Sequence, residues 1–166
     1  MMTARIAFES DAEAACGVLR RSIRELCMAD HRGDASILDV WLGNKTPENV
    51  RVWMTAPGSH FVIAEQSGQI VGVGAAIASG EITLNYVDPN ARFQGISKAI
   101  LSSLEEYLAD RGQVVFSLTS TQTAHRFYQA LGYHDAGAMT VWAGMMEQPM
   151  VKDVSRKSYD LLHHKF

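Results

Sequence analysis

The densest chemistry in this sequence lies in residues 87–98, Val87-Asp88-Pro89-Asn90-Ala91-Arg92-Phe93-Gln94-Gly95-Ile96-Ser97-Lys98. An alternating, strand-like run ends at Pro89, and a strongly periodic helical run begins near Gly95. A helix starting there leaves its first N–H groups unpaired at the positive end of its dipole, which makes an anion site. Gly95 has no Cβ, so a phosphate can approach the backbone closely. Arg92 and Lys98 add positive charge on either side. An ordinary strand-to-helix connection has the same spacing, so these residues alone leave both readings open.

A second constellation runs from Ser120 and Thr121 through Ala124, Phe127 and Tyr128 to Leu131-Gly132-Tyr133. Ala124, Phe127, Tyr128 and Leu131 share one helix face, and by periodicity Tyr128 reads as core packing. A third candidate is Glu81. Strict strand alternation puts Glu81, Thr83 and Asn85 on one face, opposite Ile82, Leu84 and Tyr86. Three polar residues on one side of an inner strand imply that water reaches that face, and a solvated glutamate at a strand start fits equally well.

Arg92-x-x-Gly95-x-Ser97, preceded by Val87-x-Pro89, resembles the GNAT-superfamily motif Gln/Arg-x-x-Gly-x-Gly/Ala. Thr121-x-x-Ala124-x-x-Phe127-Tyr128-x-x-Leu131-Gly132-Tyr133 resembles the second hallmark of that family, Asn-x-x-Ala-x-x-Phe-Tyr-x-x-Leu-Gly-Phe. The two stand in the right order on successive helices. Ser97 and Thr121 depart from the usual Gly/Ala and Asn.

The resemblance implies an N-acetyltransferase that moves the acetyl group of acetyl-CoA to an amine of a small molecule or peptide by direct attack on the thioester. It implies that the backbone at Arg92, Phe93, Gln94, Gly95, Ile96, Ser97 and Lys98 holds the pyrophosphate of coenzyme A. The fourth strand of this family splays from the fifth, which implicates Tyr86 and Val87 in pantetheine binding, with Thr121 and Phe127 nearby. Tyr128 matches the tyrosine that protonates the leaving thiolate. Glu81 lies eleven positions before Arg92, the offset of the catalytic glutamate in the histone-acetylating branch. A water chain is the alternative base. A longer acyl-CoA, or an acyl-CoA-binding sensor without turnover, are the competing readings.

These residues need a scaffold to bring them together. Residues 3–8 read as a strand. Ser10-x-x-Glu13 reads as a capping box that opens a helix to about residue 28. Residues 37–42 form a short helix, and Thr46-Pro47-Glu48 starts another. Residues 60–65 and 69–78 are strands joined at Ser67-Gly68, and 81–87 is a third. Then come a helix closed by Gly112, a short strand at 114–119, and a helix over 121–131 closed by Gly132. Residues 133–158 read as a strand pair broken near Ala143-Gly144. This is an α+β layout, the GNAT fold: one mixed, mostly antiparallel sheet of six to seven strands with helices on both faces, in one domain over residues 1–166.

Composition narrows the function. The chain has 166 residues, 47% of them hydrophobic and 20% charged, enough for a core without disulfides or metals. Its formal charge of −3 leaves no basic excess for nucleic acid or an acidic membrane. Cys16 and Cys27, placed on one helix, are about 16 Å apart and cannot pair. No Cys/His set has zinc spacing, and His163-His164 is a tail pair. Gly72-x-Gly74-x-x-Ile77 falls inside a strand, so it is no dinucleotide fingerprint; its small residues let another element approach. The start lacks an apolar signal core and no apolar run is long enough for a membrane span, which makes cytoplasmic the expectation. His125 reads as an exposed helix residue or a proton relay. Met139, Met145, Met146 and Met150 suit gap filling or an interface, and a homodimer is compatible with them. The acceptor is expected between the N-terminal helices and the final strand pair. There Asp30, His31 and Asp34 suit a cationic amine, and Trp41 and Trp53 a flat or apolar one.

Overall fold

The computed structural model describes residues 1–155. The expected end of the last strand at Ser158 and the His163-His164 pair lie outside the described residues. The order is β1 (Met2–Ile6), α1 (Ala12–Leu26), α2 (Met28–His31), α3 (Ala35–Gly43), α4 (Pro47–Thr55), β2 (Ser59–Gln66), β3 (Gln69–Ile77), β4 (Glu81–Val87), α5 (Ile96–Asp110), β5 (Val115–Ser120), α6 (His125–Ala130), β6 (His134–Asp135), β7 (Thr140–Trp142) and β8 (Met145–Asp153).

The strands form one mixed sheet in the order β1-β2-β3-β4-β5-β8-β6, with β7 paired to β8 off that path. Only β4 and β5 run parallel. The count is eight rather than six to seven, because β8 carries two short partners along one edge. β6 pairs with it at Met150 and Val151, and β7 at residues 145–147.

Local chemistry explains most boundaries. Thr46 caps α4, its Oγ1 accepting from the Asn49 amide at 3.2 Å. Asp34 caps α3 through the Ser36 amide at 2.9 Å. Ser67-Gly68 and Ala143-Gly144 are two-residue hairpin turns with both residues left-handed (φ 52° and 75°; φ 50° and 83°), the geometry that matches strand twist. Gly112 and Gly132 close α5 and α6 in the same way. The amide after each glycine donates back five residues, Gln113 to Leu108 and Tyr133 to Tyr128.

Several expectations need correction. Ser10 caps nothing. Asp11 accepts from the Phe8 amide at 2.7 Å and is paired to Arg5, so a single 3₁₀ turn at Glu9–Asp11 comes first and α1 begins at Ala12. The helix stops at Leu26 rather than continuing to residue 28, and Cys27 separates α1 from α2. α6 is shorter than 121–131, because a turn at 122–124 precedes it. Strict alternation in β4 also fails. Ala75 pairs with Leu84 but Ala76 with Ile82, so Thr83 is bulged out of the ladder. Ile82 therefore faces the α5 side, whereas Leu84 and Tyr86 face α1.

Helices cover both faces. α5 packs on β3 directly over the two small residues of the rejected fingerprint. A Cβ on Gly72 would sit 2.6 Å from Ile100 Cδ1, and one on Gly74 would clash with Ile100 Cγ2. α1 and α4 bury Val18, Leu19 and Val50 on the opposite face against Phe61, Ile63 and Val73. Met145 and Met150 are buried, while Met139 and Met146 are exposed. No described helix is long and apolar enough to cross a membrane.

Candidate active site

Strands β4 and β5 pair only at Glu81 and Ser117, where the Ser117 amide donates to Gly80 O at 3.0 Å. β5 then follows β8 along its whole length, from Val115 opposite Asp153 to Ser120 opposite Gln148. The two strands thus diverge, and β4 from Ile82 onward has no strand partner on that side. A wedge opens in the middle of the sheet.

A cleft of about 310 Å³ fills the wedge, walled by α1 as well as by the starts of α5 and α6. It is lined by Tyr86, Val87, Arg92, Phe93, Gly95, Ile96, Ser97, Lys98, Thr121, Phe127 and Tyr128. Every expected site residue is there except Gln94 and Glu81. Gln94 turns away, its Oε1 accepting from Gln66 Nε2 at 2.8 Å. Glu81 is exposed at the closed end of the wedge, five positions and roughly 15 Å along β4 from Tyr86.

Asp88 builds the approach to the turn. It accepts from the Asn90 amide at 2.9 Å and from Arg21 Nη2 at 2.6 Å, tying the turn to α1. Burial pushes its carboxyl upward, but Arg21 and the Asn90 amide more than offset this and leave it below the ordinary range. Beyond it, Phe93 (φ 62°) and Gly95 (φ 77°) are both left-handed, which swings successive amides to one side. Among the described residues, no amide from Phe93 to Lys98 has a protein acceptor. A Cβ on Gly95 would meet nothing within 4 Å. The turn is open and unpaired.

At the inner end lies Tyr128, 7% exposed and edge-on to Phe127 and Tyr133. Burial pushes its phenol up to about 12, with the Asn85 amide beside it pulling slightly the other way. Asn85 itself donates to Ser97 O at 3.2 Å, and its Oδ1 is buried without a partner. Thr121 Oγ1 accepts from the Ala124 amide at 3.3 Å, which leaves its hydroxyl proton free to donate.

The sequence reading missed Ser22, Leu26 and Cys27 of the cleft wall, along with Asn85 and Thr123. Ser22 is buried at 3% exposure, a property that only the fold reveals. The cleft continues through a gap of about 60 Å³ between Leu84, Tyr86, Leu118 and Thr119. A third cavity, about 370 Å³, shares Thr83 and Leu84 with that gap and opens on the α4 side among Asn44, Lys45, Trp53 and Ser59. The three spaces are neighbours through shared wall residues.

The residues expected to receive a cationic acceptor are committed elsewhere. Asp30 is 4% exposed and accepts from the Gln122 amide (2.7 Å) and from Thr123, holding the turn before α6. His31 is 1% exposed with both ring nitrogens bonded, Nδ1 to the Gly33 amide and Nε2 to Arg24 O. Asp34 caps α3, and Trp41 is core. His125 bonds Asp135 at 2.7 Å beside a separate cavity. Glu147 on β8 is half-buried, and its carboxyl is raised by burial and by Asp30.

A splayed parallel pair, an open turn of unpaired amides and a buried tyrosine thus meet in one cleft. The sequence profile described as acetyltransferase (GNAT) domain matches residues 28–154, and the chain belongs to that family. It is 26% identical over 123 residues to the human protein N-acetyltransferase 8, covering 66% of this chain and 54% of that one. It is 34% identical over 94 residues to the N-acetylaspartate synthetase of Rattus norvegicus, covering 52% of this chain and 31% of that protein. The chain thus spans about half or less of the length of these curated relatives. The fold matches that of the PaiA N-acetyltransferase of Thermoplasma acidophilum, solved in complex with coenzyme A. There the TM-score is 0.77 at 17% identity, over 92% of this chain and 99% of that one.

Proposed function

We propose that this chain is an acetyl-CoA-dependent N-acetyltransferase acting on an amine by direct attack on the thioester. The observation that carries the reading is the run of unpaired amides at 93–98, opening onto a cleft that ends at Tyr128. Those amides, the α5 dipole, Arg92 and Lys98 suit a diphosphate. The space over Gly95 leaves room for it. The unpartnered Asn85 Oδ1 and the free Thr121 hydroxyl suit an amide-bearing arm running into the wedge.

Acetyl-CoA supplies an activated acetyl group. The open edge of β4 at Tyr86 and Val87 polarises the carbonyl as the amine nitrogen bonds to its carbon and the C–S bond breaks. Tyr128, held protonated by burial, donates to the departing sulfur. The proton lost by the amine leaves through water, with Glu81 and Glu147 the two carboxylates that compete to receive it. Glu81 carries the family offset, and Glu147 is the more buried of the two.

The test is release of coenzyme A thiol from acetyl-CoA across a panel of amines, alongside calorimetry of coenzyme A binding. Turnover with binding supports the enzyme. Tight binding without turnover on any amine supports a sensor instead.

A further inference from the structure

Lys45 is the only lysine or arginine that is buried among the described residues, at 8% exposure. Its Nζ donates to Asn44 Oδ1 at 2.7 Å and, more weakly, to Trp41 O at 3.4 Å. It lies 5.8 Å from the centre of the Trp53 ring. No carboxylate of the described residues comes within ion-pair distance of it. Burial pushes this ammonium below its ordinary range, and only Cys16, whose thiol donates to the Lys45 carbonyl at 3.1 Å, opposes the shift. An ammonium taken out of water without a counter-charge is destabilising. Asn44 and Trp53, which flank it, are walls of the 370 Å³ cavity, as Lys45 is. That cavity shares the walls Thr83 and Leu84 with the small gap between β4 and β5.

We propose that Lys45 is a specificity residue of the acceptor site, binding a carboxylate on the amine to be acetylated while the side chain of that acceptor packs on Trp53 and Leu84. The proposal rests on the acetyl-transfer reading and names its substrate class. One ammonium between apolar walls balances one negative charge, which favours a carboxylate over a doubly charged phosphate. A positive charge there also favours the neutral, reactive form of the amine over its ammonium. The acidic residues that would have drawn a cationic acceptor, Asp30 and Asp34, are already bonded to backbone amides.

The test uses phenylalanine, aspartate, 4-aminobutyrate and 6-aminohexanoate, each against its primary carboxamide. Binding to the full chain saturated with coenzyme A is read by calorimetry, and thiol release from acetyl-CoA is read separately. At least one carboxylate should bind about tenfold or more tightly than its carboxamide, with Lys45→Met abolishing the difference and Lys45→Arg keeping part of it. Lys45→Met should keep or raise the melting temperature, because an apolar chain of similar length replaces an uncompensated charge. Equal binding of carboxylate and carboxamide, or no binding of any of them at millimolar concentration, overturns the proposal. So does a Lys45→Met variant that unfolds or weakens both series alike, which marks a structural lysine. Binding with the expected preference but no thiol release keeps the carboxylate site and instead sinks the acetyl-transfer reading.

Discussion

Glu81 and Ser117 are the single pair through which β4 and β5 meet. Everything the site offers follows from what happens beyond that pair. β5 is held along its whole length by β8, while β4 stays with β3, so the sheet opens instead of closing. The gap is bounded by backbone on one side and by Tyr128 on the other.

Tyr128→Phe removes the phenol proposed as the acid and leaves the ring in place. Turnover should fall about tenfold or more, the usual span of a lost acid, with the coenzyme A dissociation constant changed less than about twofold. Steady-state kinetics and calorimetry check both. Equal loss of binding would mark Tyr128 as packing alone.

Gly95→Val fills open space and forces a branched side chain into a left-handed conformation, φ 77°. Coenzyme A affinity should weaken about tenfold or more, since at least one amide is displaced or blocked. An unaltered dissociation constant would refute the phosphate placement. Circular dichroism separates this from simple unfolding.

The two carboxylates differ in their pH signatures. If Glu81 takes the amine proton, Glu81→Gln should lower kcat/KM mainly at low pH, where a base is most needed. An unshifted profile leaves the role to Glu147 or solvent. Glu147 has a raised carboxyl in the fold. Its contribution to stability is therefore complete below the unfolded value near 4.5 and fades as pH rises through the folded one. Glu147→Gln should match the parent melting temperature near pH 4 and exceed it near pH 7.

Asp88 runs the other way. Its folded value lies below the unfolded 3.8, so its support for the turn is present above that value and fades as pH falls through the folded one. Asp88→Asn keeps an acceptor for the Asn90 amide but loses the charge facing the half-exposed Arg21, and should cost up to about 1 kcal/mol at neutral pH. The deficit should shrink in acid, as read from denaturant midpoints. Coenzyme A binding should weaken with it.

Much of this was legible in consecutive residues. Thr46-Pro47, Ser67-Gly68, Gly112 and the Arg92 to Lys98 turn act through neighbours a few positions away, and each is found where its chemistry places it. The Ser10 cap failed because Arg5 and Phe8 had already claimed Asp11. The polar face of β4 failed because alternation assumes an unbroken ladder, and the bulge at Thr83 breaks it.

The sequence by itself determined the order of elements, the open turn at 92–98 and the helix that carries Tyr128, since hydrogen bonds within a turn or a cap reach only four or five residues. Tertiary structure alone decided that Asp30 would clamp the Gln122 amide 92 positions away. Packing likewise left Lys45 inside without a counter-charge and Glu81 outside the cleft. Those outcomes depend on which distant surfaces meet, and burial rather than residue type then sets what each charge can do.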